Sequence, residues 1–315
     1  MLDLSAQTAD PFQSHRTHRS ARYKRLAYWF LRPLLDRKTR PHLSIAARGL
    51  PRLSRVLPER GFPLETRRAW LNRYAPVAGR TLLVQGTGTG WDTLSWLPFS
   101  PQVIVGIDAY AFQAAWHRIA AVGPRFVAGD LTALPLGDRT IDVAASDAVF
   151  EHCRDLDAVL RETWRVLRAG GAVYATYGPL WYCFGGDHLS GGDGPHLERG
   201  YFHLAEDHDA YRAYVEARTN VGADAQGGAR YIELGLFSRL TTAQYLAAFA
   251  RAGFELVDLI LEVSGLAIAF GRRWPERAHM LAGRHGVSLD DLLIKANFVV
   301  LRKPASPPFT ARTQR

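Results

Sequence analysis

The chain has 315 residues, enough for one elaborated domain or two small ones, and its 47% hydrophobic and 22% charged residues exclude a largely disordered protein. Two cysteines, Cys153 and Cys183, exclude a disulfide framework and a cysteine-rich zinc site, and the net charge of +9 is uneven, with 17 Lys and Arg against 5 Asp and Glu in residues 1–80. The opening MLDLSAQTADPFQSHRTHRS has no apolar core and no later apolar run reaches about 18 residues, so neither a signal peptide nor a membrane span is expected, and the expected location is cytoplasmic.

Taken in chain order, SARYKRLAYWFLRPLLDRKTR sets Tyr23, Leu26, Ala27, Phe30 and Leu34 on one helical stripe among basic residues, with Pro33 as a kink. Two jobs fit this segment: a lid whose stripe packs on the core or over a pocket, or a weak contact of residues 15–40 with an anionic membrane surface. The lid is preferred, because Pro33 interrupts the helix and the stripe is short. After a Pro- and Arg-rich stretch, ETRRAWLNRYAP predicts a short helix. Residues 1–75 are therefore expected to form a basic, partly helical arm, residues 76–305 the main domain, and residues 306–315 a flexible tail.

From Thr81 the text alternates: strand TLLVQ, a helix from Trp91, strand QVIVGID, helix AYAFQAAWHRIAAV, strands RFVAGD and TIDVAASD, helix DLDAVLRETWRVL, strand GAVYATYG. Such alternation predicts an α/β fold with a mostly parallel sheet covered on both faces. Residues 178–238 interrupt it with an aromatic-, glycine- and histidine-rich insertion, longer than an ordinary connection and expected to cover the substrate side. Helix TTAQYLAAFARAG and strands FELVDLILEV and LIKANFVVLRK then complete the sheet.

Ligands of parallel sheets bind beyond the carboxyl ends of the strands. There the first strand runs into Gly86, Thr87, Gly88 and Gly90, where glycine lets the backbone approach a ligand that a Cβ would push away. A dinucleotide fingerprint needs a third glycine where this chain has Trp91, so nicotinamide binding is disfavoured. Asp108 ends the second strand, where a carboxylate can accept both hydroxyls of a ribose; Asp130 follows the third, placed for an adenine amino group, with the Leu131 amide beside it.

These residues, in LLVQGTGTG, VGIDAY and GDLTALPLGDRTIDVAASDAVFEHCRDLDAVLRETWRVLRAGG, resemble the class I S-adenosylmethionine-dependent methyltransferases of the small-molecule, type 11-like branch, in unbroken order from Thr81 to Gly171. The resemblance implies a Rossmann-like three-layer sandwich of seven strands, the last antiparallel, with an N-terminal helical extension and the insertion between strands five and six. It implies S-adenosyl-L-methionine as cofactor, held by Gly86, Thr87, Gly88, Gly90, Asp108, Ala109, Asp130, Leu131 and Asp147. It also exposes a departure: the family's acid two residues before the first glycine is Val84 here, and Gln85 faces the other side of the strand. Asp92, a loop threonine or water is then left to serve the cofactor ammonium.

Methyl transfer from a sulfonium is an in-line displacement, so the protein mainly supplies alignment and exclusion of water. A general base matters only for an acceptor whose proton has a high pKa. Candidates for such a base are Asp147, Glu151 and His152 after the fourth strand and His188, His196 and His203 in the insertion, of which His152, His188 and His196 are the catalytic candidates. Acidic and histidine residues crowd the insertion, but no H-E-x-x-H pair occurs, and no metal is assigned. Trp181, Tyr182, Phe184, Tyr201 and Phe202 fit either an acceptor pocket or the packing of a cover. SDAVFEH lacks the N/D-P-P-Y text of base methyltransferases, so no nucleic-acid partner is expected. The expected function is methylation of a small-molecule acceptor, on an oxygen of a sugar, lipid-linked precursor or secondary metabolite. The alternatives are a non-catalytic cofactor-binding scaffold and a peripheral binder of anionic surfaces.

Overall fold

The computed structural model describes residues 18–191, 196–205, 207–220 and 228–305; the expected tail at 306–315 lies outside them. The strands are β1 Leu53–Pro58, β2 Thr81–Gln85, β3 Val103–Asp108, β4 Arg125–Ala128, β5 Ile141–Asp147, β6 Leu167–Tyr177, β7 Glu255–Val263 and β8 Ile294–Arg302. They form one sheet in the order β1-β7-β8-β6-β5-β2-β3-β4, and β8 alone runs antiparallel to its neighbours β6 and β7. Strands β2 to β8 are the seven expected, with the insertion between β6 and β7 as read from the sequence.

The eighth strand, β1, corrects the expected count. It comes from the front segment and pairs in parallel with β7, burying Val56 and Leu57 completely. LSRVLP hides this role, because Arg55 interrupts the apolar run and Pro51 and Pro58 flank it; prolines at such ends suit an edge strand. The open edge is closed by the front helix, His18–Thr39: Asp36 accepts from the Val56 amide at 2.9 Å, and the Thr39 hydroxyl donates to the Val56 carbonyl.

That attachment decides which way the front helix faces. Tyr28 is buried and stacked on Phe62, with ring centroids 5.7 Å apart, and Leu35 is partly buried beside the same core. Leu26, Phe30 and Leu34 point outward at 59%, 69% and 62% exposure, joined by Trp29 at 68%. The expectation that this stripe packs on the core or over a pocket is therefore overturned for these residues; the side chain of Tyr23 lies outside those described.

Two hydrophobic layers sandwich the sheet. Leu83, Val173, Ala175 and Tyr177 pack under the helices Leu156–Val166 and Thr242–Arg251. Leu82, Val84 and Tyr174 pack on the other face, under Trp70 and Leu71 of helix Leu64–Tyr74 and under Trp96. The alternation along β2 thus puts Val84 and Gln85 on opposite faces. Capping marks the helix starts: Asp155 accepts from the Ala158 amide at 2.8 Å, and Thr241 with Gln244 closes a capping box. A third, smaller core joins the insertion to helices Gly265–Arg273 and Pro275–His285. It takes in Phe184 and Tyr201, which pack the cover from within.

Candidate functional site

The glycine loop follows β2, and its three glycines all have positive φ, at 63°, 50° and 91°. Their surroundings differ. A Cβ on Gly86 would lie 2.3 Å from Val149 Cγ2, and one on Gly90 would lie 2.8 Å from Phe126, so both serve close packing inside the protein. A Cβ on Gly88 would meet nothing within 4 Å, so its bare face opens outward. The loop is pinned from three sides. The Thr87 amide donates to the Ile107 carbonyl at 3.1 Å, Trp116 Nε1 donates to the Gly88 carbonyl at 2.7 Å, and the Gly88 amide donates to Asp108 Oδ2 at 2.7 Å.

Asp108, the last residue of β3, also accepts from the Tyr110 amide at 3.0 Å, and Ala109 between them is exposed. Asp130 is exposed two residues beyond β4 and accepts from the amide and hydroxyl of Thr132, both at 2.8 Å; Leu131 is half-buried beside it. Glycine loop, Asp108 and Asp130 therefore form one rim along the carboxyl ends of β2, β3 and β4. Gly86, Thr87, Gly88 and Gly90 carry the first part of that rim, as the sequence reading placed them.

Val84 is buried among Trp70, Trp96 and Tyr174. On the same face, the sheet's charges gather instead around Arg68 of helix Leu64–Tyr74, whose side chain is fully buried. Its guanidinium donates to Asp147, lies 3.9 Å from Asp92 Oδ1, and stacks 4.1 Å above the Trp96 ring. Asp147, ending β5, accepts further from Tyr174 Oη and Thr176 Oγ1, both at 2.9 Å, and Arg67 lies 3.6 Å away. Burial pushes the Asp147 carboxyl up, but Arg68 and Arg67 outweigh it and hold the group below its ordinary range. Asp92 behaves oppositely: burial, then the Asp147 charge, push it up to about 6 against the pull of Arg68 and Arg67. Gln85 is buried on the other face, where Nε2 donates to Thr163 Oγ1 at 2.9 Å.

Neither arginine was singled out from the sequence. Arg68 sits in RRAW with nothing in its spacing to mark it as buried; the nearby Trp70 and Leu71, which are also buried, are the only local signal.

Beyond β5 the chain passes Val149, in contact with Gly86, and reaches Glu151 and His152. Glu151 is 2% exposed, and its Oε1 accepts from the Gly178 amide at 2.9 Å. Burial pushes its carboxyl up to about 8. His152 Nδ1 faces the Leu236 carbonyl at 2.8 Å, and Tyr231 covers its ring at 4.1 Å between centroids. His188 arrives from the insertion, its ring 4.8 Å from that of His152, and burial pushes its imidazole down to about 3. The structure thus brings two of the three candidate histidines together. His196, the third candidate, stands apart, half-exposed and 3.2 Å from Glu198. His203 is buried elsewhere in the insertion, its Nε2 donating at 2.7 Å to the Trp181 carbonyl and its Nδ1 lying 3.7 Å from Asp187. On the other side of Asp147, Arg67, Ala148, Thr176, Gly178, Glu262 and Lys295 line part of a charged cleft of about 410 Å³.

Comparison with known proteins bears on this geometry. Residues 83–175 match the family model described as a methyltransferase domain. A demethylmenaquinone methyltransferase of Roseiflexus castenholzii is 37% identical over 101 residues, which are 31% of this chain and 42% of that protein. A malonyl-[acyl-carrier protein] O-methyltransferase of Yersinia pestis is 33% identical over 95 residues, 30% of this chain and 35% of that protein. The chain thus spans less than half the length of these curated relatives. An S-adenosylmethionine-dependent methyltransferase from Mesorhizobium loti superposes with a TM-score of 0.45 at 18% identity, over 74% of this chain and 95% of that one.

Proposed function

We propose that this chain, which carries a class I S-adenosylmethionine-dependent methyltransferase domain, transfers the sulfonium methyl of S-adenosyl-L-methionine to an oxygen of a small-molecule acceptor. The observation that carries the reading is the rim of Gly88, Asp108 and Asp130, with the Glu151, His152 and His188 cluster linked to the glycine loop through Val149, which packs against Gly86. The open face of Gly88 admits the methionine part, Asp108 takes the ribose hydroxyls, and Asp130 with the Leu131 amide takes the adenine. Asp92, 3.9 Å from Arg68 and without a hydrogen-bonded cation among the described residues, serves the cofactor ammonium in place of the acid that Val84 replaces.

In the reaction the acceptor oxygen forms a bond to the methyl carbon as the carbon–sulfur bond breaks. S-adenosylhomocysteine leaves and the acceptor proton passes to bulk water, since burial that pushes the His188 imidazole down to about 3 makes it too weak a base to hold that proton. The relatives' names point to carrier-bound and quinone acceptors, so an acceptor panel should include carboxylate, quinol and sugar hydroxyl groups. Calorimetry with S-adenosyl-L-methionine and S-adenosylhomocysteine tests the first half of the reading. Binding of neither by the folded full chain overturns it, and binding without turnover of any acceptor favours a cofactor-binding scaffold.

A second reading concerns the partner surface. The outward row of Leu26, Trp29, Phe30 and Leu34, flanked by Arg37 and Lys38, supports contact of the front helix with an anionic membrane surface that delivers a lipid-linked acceptor.

A further inference from the structure

We infer that Glu151, His152 and His188 bind a divalent transition-metal ion beside the glycine loop. One ligand atom of each lies within 4.8 Å of the others, a spacing that small side-chain rotations close to the roughly 3–3.5 Å between ligands on an ion with bonds of about 2.0–2.2 Å.

Each residue presents a free ligand atom. Glu151 is almost wholly buried, yet its Oε2 has no hydrogen-bond partner among the described residues, and neither does His188 Nε2. Buried polar atoms are nearly always satisfied, and here two without a partner fall within one group of ligating side chains. His152 is held by its other nitrogen. The Leu236 carbonyl can only accept, so Nδ1 carries the proton and Nε2 keeps its lone pair, the arrangement found for ligating imidazoles. Glu151 Oε1 is likewise held by the Gly178 amide, leaving Oε2 as the ligand.

The insertion is built to aim His188. Its φ of 64° is a left-handed conformation uncommon for a residue other than glycine, and it persists where neighbours hold the turn. The neighbour is Asp187, fully buried, which accepts from the amides of Leu189 and Ser190 and from the hydroxyls of Ser190 and Tyr211, at 2.7–3.1 Å. This network locks the turn and fixes where His188 emerges.

Two imidazoles and one carboxylate are a donor set suited to Zn²⁺ or Fe²⁺, with positions left for water or an oxygen acceptor. The occupant thus favours acceptors that present oxygen to a metal, and this last clause rests on the methyltransferase reading.

Chelator-treated full-length protein is titrated with Co²⁺ while visible absorption is recorded, and Zn²⁺ is then added. One Co²⁺ per chain, with ligand-field bands displaced by Zn²⁺, is the expected result. Glu151→Gln and His188→Ala should each weaken Co²⁺ binding by more than about tenfold, while replacement of the exposed His279 of helix Pro275–His285 by Ala leaves it unchanged. S-adenosylhomocysteine binding and circular dichroism on the same samples separate loss of metal from loss of fold or of the cofactor reading. Absence of stoichiometric binding by the wild-type chain, or binding that survives both substitutions in folded protein, overturns the site.

Discussion

Asp108 accepts a hydrogen bond from the Gly88 amide at 2.7 Å, so the acid ending β3 and the loop following β2 are one unit. Parallel pairing of β2 and β3, with Gln85 opposite Ile107, brings them together. Asp108→Ala removes the charged acceptor for the ribose and also frees the loop. S-adenosylhomocysteine binding should weaken by about 1.5–3 kcal/mol with the fold retained. Calorimetry checks this, and unchanged affinity in a folded variant removes the ribose assignment.

The glycines should separate by phenotype. Gly88→Ala places a methyl group in open space at a φ of 50°, so stability falls only by about 1–2 kcal/mol while cofactor binding is blocked. Gly86→Ala drives its Cβ into Val149 and should lower the melting temperature more, whatever its effect on binding. Thermal melts and calorimetry on both variants decide the matter. Normal binding by Gly88→Ala means that no ligand approaches that face.

Arg68 gives a stability prediction. It is buried without exposure, paired with Asp147, and covered by Trp96 and Tyr174 with ring distances of 4.1 and 5.1 Å. Arg68→Met leaves the Asp147 charge without its nearest cation and should cost about 3–5 kcal/mol in urea unfolding. Arg68→Lys keeps the charge but cannot reach Asp147 and Asp92 together while stacking on indole, so it should fall between wild type and Arg68→Met. A loss under about 1 kcal/mol for Arg68→Met would show that the cluster relaxes and solvates its acids.

The sheet from β2 to β8 was legible because its central strands β2, β5 and β6 are apolar runs with almost continuous burial, and glycine, Asp108 and Asp130 recur at three successive strand ends. What stayed hidden depends on contacts distant in the chain. Arg55 looks like a solvated charge in LSRVLP, yet β1 buries it against Tyr28, 3.3 Å from its hydroxyl. Arg68 looks like one more arginine in a basic arm until Asp147 is folded beneath it. His188 and His196 are equivalent in text; the Asp187 network turns one inward and leaves the other against Glu198. Stripe periodicity also misled for the front helix, since it identifies an apolar face and not what covers it.

Asp92 makes the pH dependence specific. The groups facing it are Arg68 and Arg67 from helix Leu64–Tyr74 and Asp147 from β5. Its folded value of about 6 lies above the ordinary 3.8, so the native state holds the proton more tightly than the unfolded chain. The ionised group therefore costs stability that is absent below pH 3.8 and fully present above about 6. Asp92→Asn should stabilise the free protein at pH 7.5 by roughly 1–3 kcal/mol and give no gain near pH 3.5. The same substitution should weaken cofactor binding, because the ammonium needs the charge, and wild-type affinity should rise between pH 5 and 7 as Asp92 ionises. Urea unfolding and calorimetry at both ends of that range check the pair of effects. A stability gain that is equal at both pH values contradicts the raised carboxyl.

The front helix carries the last prediction. Its inward contacts, Tyr28, Asp36 and Thr39, tie it to Phe62 and β1, whereas Leu26, Trp29, Phe30 and Leu34 face outward. Replacing Trp29, Phe30 and Leu34 together by serine touches none of the inward contacts, so the melting temperature should hold, with stability changed by about 0.5 kcal/mol or less. Large apolar side chains that avoid the core and stand beside Arg37 and Lys38 are suited to the headgroup layer of an anionic bilayer. Wild-type protein should then co-sediment with phosphatidylserine-containing vesicles at low salt, less so at high salt as the arginines are screened, and not with neutral vesicles. The triple variant should lose co-sedimentation and keep turnover of a water-soluble acceptor. Wild-type protein that ignores vesicles at every salt concentration, or a triple variant that binds them equally well, removes the membrane reading and leaves the outward row for a protein partner.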